Sequence, residues 1–124
     1  MNKIFVVVGP SGAGKSSFID KVVIELPFLR DIITCTTRAM RKGETEGHHY
    51  HFLSHAEFKK RMAQDYVVEW AQVHDQLYGT PKDQIKQAWR DGHAVIMDID
   101  VQGAKTFMSK YPQETITIFI LPPS

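Results

Sequence analysis

The sequence predicts an α/β fold: a parallel sheet flanked by helices, carrying a smaller, strand-richer insert. Three observations lead there. Ile4–Val8 and Ala94–Met97 are short apolar runs, rich in β-branched residues, of the kind that form strands buried on both faces. The glycine-rich stretch Gly9–Gly14 lies between the first of these runs and a segment of helical periodicity. From about Asp31 to Thr80 the chain reads as a polar, strand-richer insert. The expected organisation is therefore a first core segment over 1–30, an insert over 31–80 and a continuation of the core over 81–124.

The elements follow in order. After Gly14, Phe18, Val22 and Leu26 share one helical face, with Ile19 and Val23 beside them, and Pro27 ends the helix. Ile32–Thr36 is β-prone, and His49–Leu53 predicts a short strand. Ser54-His55-Ala56-Glu57 has the form of a capping box opening a helix that turns Phe58 and Met62 inward. Val67–Val73 reads as a strand interrupted by Glu69. Thr80-Pro81-Lys82-Asp83 predicts a helix with proline at its first position and Gly92 closing it. Ala94–Met97 runs into Asp98-Ile99-Asp100, Gly103–Lys110 is helical in pattern, and Thr115–Leu121 is the last predicted strand.

Composition limits the function classes. A hydrophobic fraction of 43% and a charged fraction of 23% are ordinary for a globular protein. The formal charge of +1 gives no electrostatic case for a nucleic-acid or membrane partner, so any anion must be bound by local groups. One cysteine, Cys35, excludes an internal disulfide and fits a reducing compartment, which makes a cytoplasmic location the expectation. The apolar start is five residues long, too short for a signal-peptide core or a membrane span.

Gly9-Pro10-Ser11-Gly12-Ala13-Gly14-Lys15-Ser16 fits the phosphate-loop pattern G-x-x-x-x-G-K-[ST] at every fixed position, and Ser17 follows it. Glycines let the backbone curl so that N–H groups converge on phosphate oxygens, and the next helix adds the positive end of its dipole. Lys15 supplies a mobile full charge, and the Ser16 hydroxyl can ligate Mg²⁺. Asp98, at the end of an apolar strand, is placed like the acid that faces this metal through water; the alternative is that Asp98 or Asp100 caps the following turn. Arg38 and Arg41 lie three residues apart in a polar loop, where two planar forks can converge on one phosphate, or can simply be solvated. Glu69 interrupts Val67-Val68-Glu69-Trp70-Ala71; either it has a ligand, or it lies on the exposed face of an alternating strand with Val68 and Trp70 inward.

Six ordered segments resemble the guanylate kinases. They are Thr36-Thr37-Arg38-Ala39-Met40-Arg41-Lys42-Gly43-Glu44, Gly47-His48-His49-Tyr50-His51-Phe52, Val68-Glu69-Trp70-Ala71, Tyr78-Gly79-Thr80, Asp98 to Ala104, and Ile120-Leu121-Pro122-Pro123-Ser124. The resemblance covers essentially the whole chain. It implies a P-loop fold of the nucleoside monophosphate kinase type with a GMP-binding insert. It also implies transfer of the γ-phosphoryl group of ATP to GMP with Mg²⁺, giving ADP and GDP. Arg38, Arg41, Tyr50 and Tyr78 would hold the GMP phosphate. Thr34, Glu69, Thr80 and Asp100 would surround the base. Lys15, Arg38, Arg41 and Asp98 would act on the transferred group, and Ser16 and Asp98 would hold the metal. A carboxylate at Glu69 accepts from the two adjacent donors of guanine, N1–H and the 2-amino group, whereas adenine would face it with a lone pair.

Two departures stand out: Thr34 stands where the family usually has serine, and Met40 where it usually has proline. The family also continues past the Pro-Pro-Ser segment into a helix, an arginine-bearing lid and a further core strand. The expectation is that this chain lacks them, leaving Thr115–Leu121 as an edge open to self-association. Two other readings stand beside the enzyme: a GMP-binding fragment with little activity, and a guanylate-kinase-like protein-interaction module, against which the intact phosphate loop argues. His48, His49 and His51 do not complete a metal-ligand pattern, Cys35 reads as an inert thiol, and Trp70 and Trp89 read as core or half-core aromatics.

Overall fold

The computed structural model describes residues 2–10 and 14–121. Its element order is β1 (Ile4–Val8), α1 (Lys15–Glu25), β2 (Leu29–Asp31), β3 (Thr34–Thr36), β4 (Tyr50–Phe52), α2 (His55–Ala63), β5 (Val67–Val73), β6 (Gln76–Pro81), α3 (Lys82–Arg90), β7 (Ala94–Asp98), α4 (Val101–Lys110) and β8 (Thr115–Phe119). The chain forms two compact units, one from residues 1–31 and 87–124, the other from residues 32–86.

The first unit is built on a parallel four-stranded sheet in the order β2-β7-β1-β8. β1 and β7 are central, which explains their unbroken apolar sequence: Ile4, Val6, Val7, Ala94, Val95 and Met97 are all 0% exposed. Val7, Ile19, Leu29, Ala94 and Ile96 form a buried cluster, with Phe5, Phe18, Val22 and Val23 packed on it. Helix α1 therefore docks through Ile19 and its neighbours, while Leu26, past its end, is exposed. The helix stops where the Leu26 N–H bonds back to the Val22 carbonyl; Pro27 follows and has no N–H to continue. Helix α3 ends in a Schellman arrangement: Gly92, at φ 83°, donates to the Trp89 carbonyl and His93 to that of Ala88. Pro81 is the last residue of β6 rather than the first of α3, because its position still pairs with Val67 of β5.

The second unit holds a mixed sheet in the order β4-β3-β6-β5. β3 pairs parallel with β4 and antiparallel with β6, and β5 is antiparallel to β6. Its core is Cys35, Phe58 and Leu77, closed by Leu53, Met62 and Tyr66. Ser54 caps α2 by accepting the Glu57 N–H at 3.0 Å; the Glu57 carboxylate turns to Arg61 at 2.9 Å, one helical turn on. A register shift between Val67 and Trp70 breaks the alternation of β5. Val68 is buried, but Trp70 is 51% exposed. The expectation of a core or half-core Trp70 is thus overturned by the bulge, whereas Trp89 is half-buried and stacks edge-on to Tyr111.

Candidate functional site

In the first unit, the C-terminal ends of β1 and β7 lie side by side, with Val7 opposite Asp98. Gly9 and Pro10 leave β1 there; the expected loop residues Ser11, Gly12 and Ala13 lie outside the described residues. Gly14 returns the chain into α1 at φ 85°, a left-handed conformation that glycine adopts without steric cost. As the N-cap it brings no side chain, and the first turn of α1 contains no acid to offset the positive end of the helix dipole. Lys15 Nζ lies 3.0 Å from Asp98 Oδ1. Ser16 and Ser17 are exposed in the same first turn. A cavity of about 370 Å³ is lined in part by Val8, Gly9, Lys15, Asp100, Phe119 and Leu121. Gly9 is required by close approach as well: a Cβ on it would meet the Ile120 carbonyl oxygen at 2.5 Å.

Asp100 belongs to this unit too. Its side chain caps α4, with Oδ1 accepting the Gly103 N–H at 2.7 Å. Of the two acids for which capping was the alternative, Asp100 takes that role, and Asp98 pairs with Lys15 instead.

In the second unit, β3 delivers the chain to Arg38 through two anchored threonines. Thr36, fully buried, donates to the Leu77 carbonyl at 2.9 Å and accepts the Arg38 N–H at 3.1 Å. The Thr37 hydroxyl bonds to Gln76 Oε1 at 3.0 Å and accepts the Leu77 N–H at 2.9 Å. Arg38 is mostly buried and makes a bidentate pair with Glu44, at 2.9 and 2.8 Å. Its guanidinium lies 5.0 Å from the ring centroid of Tyr50 and 5.6 Å from that of Phe52. Tyr50 meets Tyr78 edge-on, with centroids 6.2 Å apart. Arg41 is exposed, and its backbone N–H donates to Glu44 Oε1 at 2.7 Å. The Arg38 fork, then the Arg41 N–H, hold the Glu44 carboxyl down at about 2; the bond to Glu44 pushes the Arg38 pKa up, with Tyr78 adding a smaller hydrogen bond.

Glu69 is half-buried in β5 and accepts the Thr80 hydroxyl at 2.8 Å, while Thr80 itself is fully buried. A carboxylate held by a buried hydroxyl donor has one oxygen and its direction fixed. Thr34 opens β3 half-buried, its N–H on the His49 carbonyl. The second unit thus gathers Thr34, Arg38, Arg41, Tyr50, Glu69, Tyr78 and Thr80.

His48 and His49 keep their rings together, with centroids 4.2 Å apart, and His51 turns elsewhere. His49 adopts a left-handed φ of 70° and so does not extend in a strand with His51, whose Nδ1 lies 2.7 Å from Glu46. Cys35 is 1% exposed, and burial pushes its thiol up to about 11, as expected of an inert residue. Sequence reasoning missed Glu44, although it continues the three-residue step from Arg38 and Arg41.

No described helix is long and apolar enough to cross a membrane. The family model described as guanylate kinase matches residues 1–124. The chain is 48% identical over 122 residues to a guanylate kinase of Bdellovibrio bacteriovorus, covering 98% of this chain and 65% of that one. It is 49% identical over 121 residues to one of Bordetella pertussis, covering 98% and 56%. A crystal structure of guanylate kinase from Anaplasma phagocytophilum superposes with a TM-score of 0.82 at 32% identity, covering 98% of this chain and 61% of that one. The chain therefore spans between about half and two thirds of the length of these relatives. It belongs to the guanylate kinase family.

Proposed function

We propose that the chain binds GMP in its second unit and ATP at its phosphate loop, and serves transfer of the γ-phosphoryl group to give ADP and GDP. The observation that carries this reading is Glu69 fixed by buried Thr80 in the same unit as the Arg38–Tyr50–Tyr78 cluster. A base that offers two adjacent donors and a phosphate that seeks a fork and hydroxyls are the two ends of GMP. Arg38, Arg41, Tyr50 and Tyr78 hold the phosphate in this account. Glu69 and Thr80 read the base, with Thr34 of the same unit assigned to it from family resemblance.

On the other substrate, Gly9–Ser17 cradles the ATP phosphates and Lys15 neutralises them. The Ser16 hydroxyl and the Asp98 carboxylate are hard oxygen donors at the ends of adjacent elements, a set that fits Mg²⁺. That ion, arriving with ATP, neutralises phosphate charge. The GMP phosphate is already ionised near neutral pH, so the chain needs no general base; its residues position two anions that repel each other and offset their charge. Such substrates fit a cytoplasmic location. A coupled assay of ADP formation with ATP and Mg²⁺ tests the reading: turnover should depend on GMP and not on AMP. Equal turnover with AMP would sink it, and GMP binding without turnover would leave a binding fragment in its place.

A second proposal concerns β8. Among the described residues it pairs only with β1, and Phe119 is 67% and Leu121 80% exposed. We infer that this apolar edge supports self-association of the chain.

A further inference from the structure

The loop carrying both arginines is organised around one carboxylate. Glu44 Oε1 and Oε2 each take one hydrogen from Arg38, through Nη1 at 2.9 Å and Nη2 at 2.8 Å. Nη1 also donates to the Ala39 carbonyl at 3.0 Å. A guanidinium carries five N–H groups, and these bonds account for both on Nη1 and one on Nη2. The two that remain, Nε–H and the second Nη2–H, share the side edge of the fork. The ring faces of Tyr50 and Phe52 fix the plane of the group, and the Tyr78 hydroxyl, which can only accept from a guanidinium, shares that side edge, where the phosphate would join it. The same Glu44 Oε1 holds the backbone of Arg41 at 2.7 Å, tying the second arginine to the first.

We propose that Glu44 is a positioning residue for the nucleotide phosphate: it keeps the end-on fork of Arg38 occupied, so that the side edge meets the phosphate. The inference rests on the reading of this unit as the GMP site. Glu44 stays in place when the ligand binds, because the two oxyanions take different edges of one guanidinium. The Arg38–Glu44 pair carries no net charge, so recognition by Arg38 comes from direction rather than from excess charge, and Arg41 adds a second cation to the loop.

Calorimetry on the whole chain with GMP, and an NMR titration with guanosine, test this on the wild type, Glu44→Gln and Glu44→Asp. Glutamine keeps an acceptor for the Arg41 N–H but loses the charge and half of the fork. GMP affinity should fall about tenfold, the loss of roughly one charge-assisted hydrogen bond. Guanosine affinity should stay within about twofold, and Glu44→Asp should recover part of the loss. The Arg38 Nε–H resonance should shift on GMP binding in the wild type and broaden in Glu44→Gln. Unchanged or tighter GMP binding by Glu44→Gln would overturn the proposal, since Glu44 would then be a bystander or a competitor. Equal losses for GMP and guanosine would overturn it too, by showing a general structural role. A wild type that binds no GMP would instead remove the site reading itself, and the proposal with it.

Discussion

Replacing Glu69 by glutamine changes one atom and tests the reading of the base directly. In the structure the Thr80 hydroxyl donates to Glu69 Oε1 at 2.8 Å. Guanine would meet the carboxylate with two donors, N1–H and the 2-amino group. Glutamine keeps one carbonyl oxygen but turns an N–H toward the other guanine donor, so one charge-assisted bond is lost and one donor faces a donor. A hydrogen bond to a charged group contributes about 1.5–3 kcal/mol, and an unpaired donor adds a penalty of similar order. Glu69 is only half-buried, so water relieves part of this, and about 3 kcal/mol remains as the combined effect. That corresponds to roughly a hundredfold weaker GMP binding. AMP, whose N1 accepts, should bind no worse and can gain from the new N–H. The Thr80 hydroxyl can rotate to serve either end of the amide, so the thermal midpoint should move by no more than a few degrees. Titration calorimetry with GMP and AMP, alongside a thermal melt, reads all three quantities. GMP affinity within about threefold of the wild type, on a folded protein, would refute the assignment of Glu69 to the base.

Other perturbations follow from the same geometry. Gly9→Ala would push a Cβ to 2.5 Å from the Ile120 carbonyl oxygen; the strain should cost about 1–3 kcal/mol, lower the thermal midpoint and weaken ATP binding, and an unchanged melt would contradict it. Cys35, raised from an ordinary 9.0 to about 11 by burial, should resist a thiol reagent at pH 8 in the native state and react fully in denaturant. Because the native state favours the neutral thiol, its contribution to stability should be whole below pH 9 and decline between about pH 9 and 11; melts across that range should show a loss that Cys35→Ala lacks. Light scattering should show mass rising with concentration, and Phe119→Lys should suppress it by placing a charge on the apolar edge; a wild-type monomer throughout would contradict self-association.

Local features were the ones readable in advance. A buried parallel strand, a glycine loop and a periodic helix succeed one another within about twenty-five residues, and each leaves its own pattern in the sequence. Ser54 and Gly92 likewise mark helix ends through their own chemistry. The strand order β2-β7-β1-β8 is not legible in this way, because parallel pairing joins segments far apart in the chain. Trp70 shows a second limit: a bulge in β5 shifts the register by a step that alternation alone does not reveal. Of the site, the residue types expected for phosphate and base were visible, but their partners were not. The Thr80–Glu69 bond crosses between two antiparallel strands, and the bond of Glu44 to Arg38 depends on how a loop with glycines at positive φ folds back on itself.

In the proposed function the 32–86 unit recognises GMP through Glu69 at one end and Arg38 at the other. Titration calorimetry of the wild-type chain with GMP and then AMP tests it most directly. GMP should bind saturably at one site per chain, with AMP at least about a hundredfold weaker because Glu69 would face its N1 lone pair. Equal affinities for the two nucleotides, or no binding of GMP at millimolar concentration, would contradict it.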